Sequence, residues 1–528
     1  MRSPSWLKDA VFYEIYPQSF YDTNGDGIGD LNGIKEKLDY IKSLGCNAIW
    51  INPCFDSPFK DAGYDVRDYK KIAPRYGTNE DMYELLKVAH EKGIKILLDL
   101  VPCHTSEEHE WFQNSKISAE SQYSSRYVWT NDAFTKGRGA TFVGGEAPRS
   151  GTYAISYFHC QPSLNYGYLE PINSWEKGID DPDCLATREA IKDVIKFWLS
   201  HGVDGFRVDM AACLVREDKD EMGTMKVWED IFKDIKSCYP ESAFVAEWGH
   251  PDRSIKCGFD MDFTLDHGWD GGNFYHHLVR THRYDEKMEK VINDDSYLKW
   301  NTSKSPMKFL KEYLAHYEAT KDLGYISFLT DNHDMVRISK FLNEEELKMF
   351  YAFMFLMPGV PFLYYGDEIG MKYLNVPTKE GGYRRTGSRT PMQWDNSKNL
   401  GFSTADASQL YLPVDDSKDA PTVAKNAAEP HSLLNFVKEI IALRRSNEEL
   451  GSKANFELIY AEESSKLMVY KRGDFIFFIN PSYNTYEFDA KSKNIEVLQR
   501  FWGINGEISI DKDLIIVPAT SFNIYKTK

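Results

Sequence analysis

A chain of 528 residues is too long for one compact core, and 42% hydrophobic with 27% charged residues is a globular balance, so two or three domains are expected. A formal charge of -17 excludes nucleic acid and anionic membrane surfaces, which need a basic footprint, and suits a neutral ligand. The aromatic content of 14% fits stacking on sugar faces, and equally fits ordinary core filling. The polar start lacks the apolar run of an export signal, and no stretch has the apolar length of a membrane span. The 8 cysteines show no CxxC pair and read as reduced thiols. A cytoplasmic chain is expected, with a monomer as its oligomeric state.

Apolar runs rich in Val, Ile, Phe and Tyr at residues 11–16, 48–52, 94–101, 203–208, 243–246, 259–263, 326–329 and 362–365 predict eight strands. Helical spacing fills many of the intervals, at 34–44, 79–92, 187–201, 226–238 and 344–356. Strand alternating with helix predicts an α/β fold whose parallel sheet closes into a (β/α)8 TIM barrel. Residues 105–183 break the alternation, being polar, rich in Gly, Ser and Asn, and too long for a βα loop; they predict a small domain inserted after the third strand. Residues 406–429 read as a long loop beside the barrel. Past about 451, segments at 456–460, 466–472, 475–480, 494–500 and 514–517 predict an appended antiparallel β domain. The expected division is a barrel of 1–104 and 184–450, an insertion of 105–183 and a tail of 451–528.

In such a barrel, polar residues at the C-terminal ends of strands face one concave surface. Four tips carry reactive groups: Asp99 and His104 after the third strand, Arg207 and Asp209 at the fourth, Glu247 at the fifth, His333 and Asp334 after the seventh. Arg207 and Asp209 are two apart and point to one side of their strand, so a fixed cation holds the carboxylate ionised, as a nucleophile requires. Glycoside hydrolysis with retention needs two carboxyl groups roughly 5–5.5 Å apart, a separation adjacent strands can supply. Glu247, followed by Trp248 in an apolar run, is expected to have the raised pKa of the acid. Any single Asp in a βα loop serves as readily as a helix N-cap; four tips together shift the balance.

The segments Asp99-Leu-Val-Pro-Cys-His104, Gly205-Phe-Arg-Val-Asp209, Ala246-Glu247-Trp248 and Phe328-Leu-Thr-Asp-Asn-His-Asp334 resemble, in order and spacing, the four conserved regions of the α-amylase family of glycoside hydrolases. The resemblance implies the barrel, the insertion and a C-terminal β-sandwich. It implies Asp209 as nucleophile, Glu247 as acid/base, and Asp334 with His333, His104 and Arg207 around the glucosyl unit. Cys103 stands where the family usually has an Asn that ligates a structural calcium beside the insertion.

Asp22, Asn24, Asp26, Ile28 and Asp30 place oxygen donors at alternate positions, with Gly27 where a sharp turn is needed, and a hard cation is the expected occupant. Gly33 at position twelve rules out an EF-hand. The segment resembles the calcium loop of oligosaccharide-cleaving α-glucosidases in the family, which implies Ca2+, with Mg2+ as the alternative. Gly63-Tyr64-Asp65 resembles the segment whose Tyr stacks on the sugar at the cleavage point. Asp61 and Arg389, the latter in Ser388-Arg-Thr-Pro-Met-Gln-Trp394, resemble the pair that holds a terminal glucose in the oligo-1,6-glucosidase and α-glucosidase branch. Three features depart from that branch: Ser163 in Gln161-Pro-Ser-Leu-Asn165 stands in place of its Asp, Met210 follows the nucleophile where α-1,6-preferring members carry Val, and a shorter wall before Arg389 predicts a more open site. The expected substrate is a short α-1,4-linked glucan oligosaccharide. Action on α-1,6 bonds, a transglucosidase such as a maltose-to-trehalose isomerase, and a non-catalytic barrel are the alternatives.

Overall fold

Eight parallel strands, β1 Phe12–Ile15, β2 Ala48–Ile51, β3 Lys95–Leu100, β4 Gly205–Val208, β5 Ala243–Ala246, β6 Met261–Phe263, β7 Tyr325–Ser327 and β8 Phe362–Tyr364, pair in the order β7-β6-β5-β4-β3-β2-β1-β8. A parallel bridge between Leu329 and Phe362 joins the two ends of that row. Phe362 N–H donates to Phe328 O at 2.8 Å and Thr330 N–H to Phe362 O at 2.9 Å, which closes the barrel. The computed structural model describes residues 3–527 apart from 265–273, 280–282, 286–289, 293–295, 494, 496–497 and 512–513.

The period of two along each strand sorts the side chains. Phe12, Ala48, Trp50, Leu97, Ala243, Val245, Met261, Phe263 and Phe362 pack together inside the barrel, where Phe12 stacks on Phe362 at 4.3 Å. Tyr13, Ile49, Ile51, Ile96, Leu98, Phe206, Val208, Phe244 and Leu363 belong to the larger core shared with the outer helices. Those helices include Asn79–Glu91, Pro182–Ser200, Met222–Cys238, Met307–Thr320, Glu344–Leu356 and Leu433–Arg445. Thr78 with Asp81, and Asn343 with Glu346, form capping boxes that fix two of their starts. The helix expected at 34–44 is two short helices, Leu31–Glu36 and Leu38–Ser43, broken at Lys37, whose φ of -97° and ψ of 5° leave the helical region.

Between β3 and helix Pro182–Ser200 lie a short helix, Glu110–Ser115, and a hairpin, Thr141–Gly144 with Thr152–Ile155. Residues 406–429, read as loop, contain helix Val423–Ala428. In the tail, Glu457–Tyr460, Met468–Arg472, Phe475–Asn480, Ser521–Thr527 and Leu498–Ile504 form one antiparallel sheet in that order, and Tyr486–Asp489, Leu514–Val517 and Ser509–Asp511 a second. Val469, Ile476 and Phe478 from the first sheet meet Phe488, Ile515 and Val517 from the second, making a sandwich. Met468, Tyr470, Phe477 and Ile479 face the other way, into the core shared with the barrel helices. Strand Ser521–Thr527, central to the first sheet, escapes the sequence reading, and positions 494, 496 and 497 of the segment expected at 494–500 lie outside the described residues.

Candidate active site

The inward rows of the strands run on to the C-terminal rim. Phe12 is followed two residues later by Glu14, Trp50 by Asn52, Leu97 by Asp99, Gly205 by Arg207 and Asp209, and Val245 by Glu247. At the centre of the polar layer is Arg207. Its Nη1 donates to Asp99 Oδ1 at 2.7 Å and to Asp209 Oδ1 at 3.0 Å, while Nη2 lies 2.9 Å from Glu247 Oε2. The Met210 N–H also donates to Glu247 Oε2, at 2.9 Å. The apolar setting expected for Glu247 is therefore corrected: its carboxylate meets a guanidinium and a backbone N–H, because the apolar residues of its own strand point to the opposite face or lie deeper in the barrel.

Three buried carboxylates on one cation cannot all ionise cheaply in a site shielded from water. Burial pushes Asp99 up to about 6 and Asp209 well above the usual carboxylate range, against the downward pull of Arg207. The cluster therefore keeps a proton in weakly acid solution.

Across the cavity, Tyr64 OH lies 2.5 Å from His333 Nε2 and donates to Asp99 Oδ2 at 3.2 Å. Behind the imidazole, His333 Nδ1 meets Glu14 Oε1 at 2.8 Å, and Asn52 Nδ2 donates to the same oxygen at 3.1 Å. Burial pushes Glu14 up and His333 down to about 3, so both favour a neutral, proton-sharing pair. Asp334 Oδ1 accepts from Arg389 Nη2 at 2.8 Å and from Arg385 Nη1 at 2.9 Å. Arg389 thus pairs with Asp334, and the guanidinium at Asp61 is that of Arg385, whose Nη2 is 3.6 Å from Asp61 Oδ1. Gln161 Nε2 donates to Asp61 Oδ2 at 2.6 Å. Of these two arginines, Arg385 lines the cavity where the shorter loop was expected to leave the site more open.

His104 Nε2 lies 3.0 Å from the Tyr64 carbonyl, so that nitrogen carries the hydrogen, and the buried Nδ1 has no protein partner. Burial lowers this imidazole to about 4, which keeps it neutral. Cys103 Sγ contacts the Met210 carbonyl at 3.2 Å. Asp61, Tyr64, His104, Asp209, Glu247 and Asp334 line one cavity of about 200 Å3, together with Tyr157, Phe158, Met210 and Arg385. Arg207, His333 and Arg389 stand directly behind its wall.

Sequence reasoning passes over Glu14, Asn52, Arg385, Tyr157 and Phe158, and gives Gln161 no role of its own. A carboxylate in the middle of the apolar run 11–16 is a signal that could have found Glu14, and the same period of two leads from Trp50 to Asn52; the others lie outside the strand pattern.

The 22–30 loop follows β1 on the same rim. Asp22 Oδ1 accepts from Asn24 and Gly25 N–H, Asn24 Oδ1 from Asp26 N–H, and Asp26 Oδ1 from Ile28 N–H, at 2.7–3.1 Å. Asp30 caps helix Leu31–Glu36 through Gly33 N–H. Gly27 has φ +90°, and a Cβ there would come within 2.3 Å of Gln409 O, so only glycine lets the loop seat against that segment.

A closed (β/α)8 barrel whose rim gathers carboxylates about one buried guanidinium, beside a sugar-sized cavity, defines a glycosidase-type centre. The description "Alpha amylase, catalytic domain" matches residues 14–453, and the chain belongs to the alpha-amylase family, as an enzyme acting on α-glucosidic bonds. It is 32% identical to an oligo-1,6-glucosidase of Heyndrickxia coagulans, with 93% of this chain and 95% of the relative aligned. It is 31% identical to a trehalose synthase/amylase of Mycolicibacterium smegmatis, over 88% of this chain and 81% of the relative. An isomaltulose synthase of Erwinia rhapontici NX5, solved as a mutant with its natural substrate sucrose, superposes with a TM-score of 0.77 at 26% identity, covering 99% of each chain.

Proposed function

We propose that this enzyme removes the terminal glucosyl unit of short α-1,4-linked gluco-oligosaccharides by double displacement with retention. The observation that carries the reading is the single guanidinium of Arg207, which holds Asp209 by one nitrogen and Glu247 by the other and keeps the two carboxyl groups side by side. Asp209 attacks the anomeric carbon while Glu247 protonates the departing oxygen; Glu247 then takes a proton from water as the glucosyl-enzyme is hydrolysed. Tyr64 stacks under the sugar ring. The empty acceptor position on His104 Nδ1 and the oxygens of Asp334 and Asp61 meet its hydroxyls. Arg385 closes the far end, with Arg389 behind it on the same Asp334 carboxylate, which supports exo-action. Met210 beside the nucleophile supports the α-1,4 preference. A second reading, glucosyl transfer, is supported by Tyr157 and Phe158, whose rings line the cavity and shield the intermediate from water.

Incubation with maltotriose, isomaltose and sucrose, followed by NMR of the first products, tests the reading. Glucose and maltose from maltotriose are expected, with glucose released as the α-anomer. The β-anomer appearing first would sink double displacement; turnover of isomaltose alone would overturn the linkage, and a new disaccharide would favour transfer.

The proposal includes a structural Ca2+ in the 22–30 loop. Among the described residues, the one group of three His, Cys, Asp or Glu donors within 4.8 Å of one another lies elsewhere, so this loop would bind through the Asn24 amide and Ile28 carbonyl oxygens as well as its carboxylates. That all-oxygen set fits a hard cation, and the backbone N–H bonds that orient Asp22, Asn24 and Asp26 hold the donors toward one turn. The ion would brace a connection already joined to 402–411 by Asp22 N–H to Phe402 O at 3.0 Å and Tyr411 N–H to Gly27 O at 3.0 Å. Calcium at a hundred times its Kd is expected to stabilise the fold by about 2.7 kcal/mol. Thermal melts with calcium and with chelator should differ by a few degrees, and the D22N/D26N variant should lose the difference. Identical melts for the unmutated chain would remove calcium from the proposal.

A cytoplasmic location is supported by the eight unpaired cysteines. Among the described residues, no helix is long and apolar enough to cross a membrane.

A further inference from the structure

We propose that His250, Asp252 and His316 form a binding site for a borderline divalent cation of the zinc class on the outside of the barrel rim. His250 and Asp252 flank Pro251 at the start of the short helix Pro251–Ser254, which follows β5, and His316 comes from helix Met307–Thr320. One donor atom from each of the three lies within 4.8 Å of the other two, and all three side chains are half-buried. His316 Nδ1 is 3.0 Å from Asp252 Oδ1, and the His250 and His316 rings stand 6.2 Å apart at 66°.

The geometry decides between an ion pair and a site. A His–Asp pair needs one aligned N–H, and it needs no second imidazole. Here Asp252 Oδ1 is buried, His316 Nδ1 lies 3.0 Å from it, and the second imidazole, that of His250, brings its own donor atom into the same group. Tetrahedral zinc, with donors about 2.0–2.1 Å from the metal, has donor–donor edges of roughly 3.3 Å. The edge between His316 Nδ1 and Asp252 Oδ1, 3.0 Å, is already close to that length, and no donor of the three is more than 4.8 Å from another. Two imidazoles and a carboxylate select zinc, cobalt or nickel over calcium or magnesium, which prefer all-oxygen sets. The fourth position falls to water.

None of the three residues lines the catalytic cavity. Yet His250 is three residues beyond Glu247, in a segment where Trp248 and Gly249 N–H donate to Asp262 Oδ1 at 3.2 and 3.1 Å. A cation would tie this segment to helix Met307–Thr320.

The test uses untagged, chelator-stripped protein titrated with Co2+, read by its visible d–d absorption, and with Zn2+ by calorimetry. One equivalent is expected to bind with a rise in melting temperature, and H250A, D252N and H316A should each weaken binding at least about tenfold. The D22N/D26N variant should bind as the parent does. In the parent itself, Zn2+ should protect His250 and His316 from diethyl pyrocarbonate, read by mass spectrometry, which keeps the test independent of whether a variant folds. No saturable binding, undiminished binding in an H250A/H316A double variant, or unprotected histidines would each overturn the site.

Discussion

Replacing Asp209 with Asn is expected to lower kcat/KM by about 10^4-fold or more on every substrate, because the attacking group of the first displacement is gone. Glu247→Gln should look equally severe on oligosaccharides and far milder on an aryl glucoside with an acidic phenol. General-acid help is worth about 10^2–10^4-fold for an alkoxide leaving group and little for a phenolate that departs unaided. The second displacement still needs Glu247 as base, so the glucosyl-enzyme should accumulate and phenol should appear in a burst, with mass spectrometry locating the sugar on Asp209. A burst from D209N, or none from E247Q, would exchange or abolish the assigned roles. Both substitutions are nearly isosteric within the Arg207 cluster, so melting temperatures should report whether either effect is structural.

The sequence read the barrel well for a physical reason. All eight strands are short apolar runs whose burial is dictated locally, and β1 to β8 each overlap a segment expected from that signal. The same period of two that buries Phe12 and Leu97 brings Glu14 and Asp99 to the rim, so the strand-borne part of the site was legible in principle. What was not legible is set by loops. Arg385 reaches Asp334 across 51 positions and Gln161 reaches Asp61 across 100, and no periodicity encodes where such side chains point. The same blindness hid Arg385, which stands between Asp61 and Asp334 beside the expected Arg389. It also made Glu247 look apolar from its neighbours in sequence, when Arg207 and the Met210 N–H surround it in space. Strand Ser521–Thr527 was missed because Ser521, Asn523 and Lys526 dilute its apolar pattern, while its pairing with Phe475–Asn480 fixes it.

Arg207→Lys is expected to separate the two duties of the guanidinium. Arginine presents two nitrogens to Asp209 and Glu247 at once; an ammonium on a flexible stem is a point charge and meets one of them. Truncation to Ala would leave three buried carboxylates without their cation, at a cost of about 3–5 kcal/mol in stability. Lysine retains the charge, so the fold should survive while kcat/KM falls by roughly 10^2–10^3-fold, the loss typical of one oriented electrostatic contact. The pH profile should move with it. In the parent, burial raises Asp99 to about 6 and Asp209 well above the usual carboxylate range, so the ionised nucleophile is depleted as pH falls and the acid limb of kcat/KM is expected well above the range of an ordinary Asp. Ordinary Asp titrates at about 3.9. Arg207 pulls both groups down; weakening that pull raises them further, so the acid limb of R207K should shift upward by roughly one pH unit. An unmoved limb, or one shifted to lower pH, would mean that Arg207 does not set the charge of Asp209.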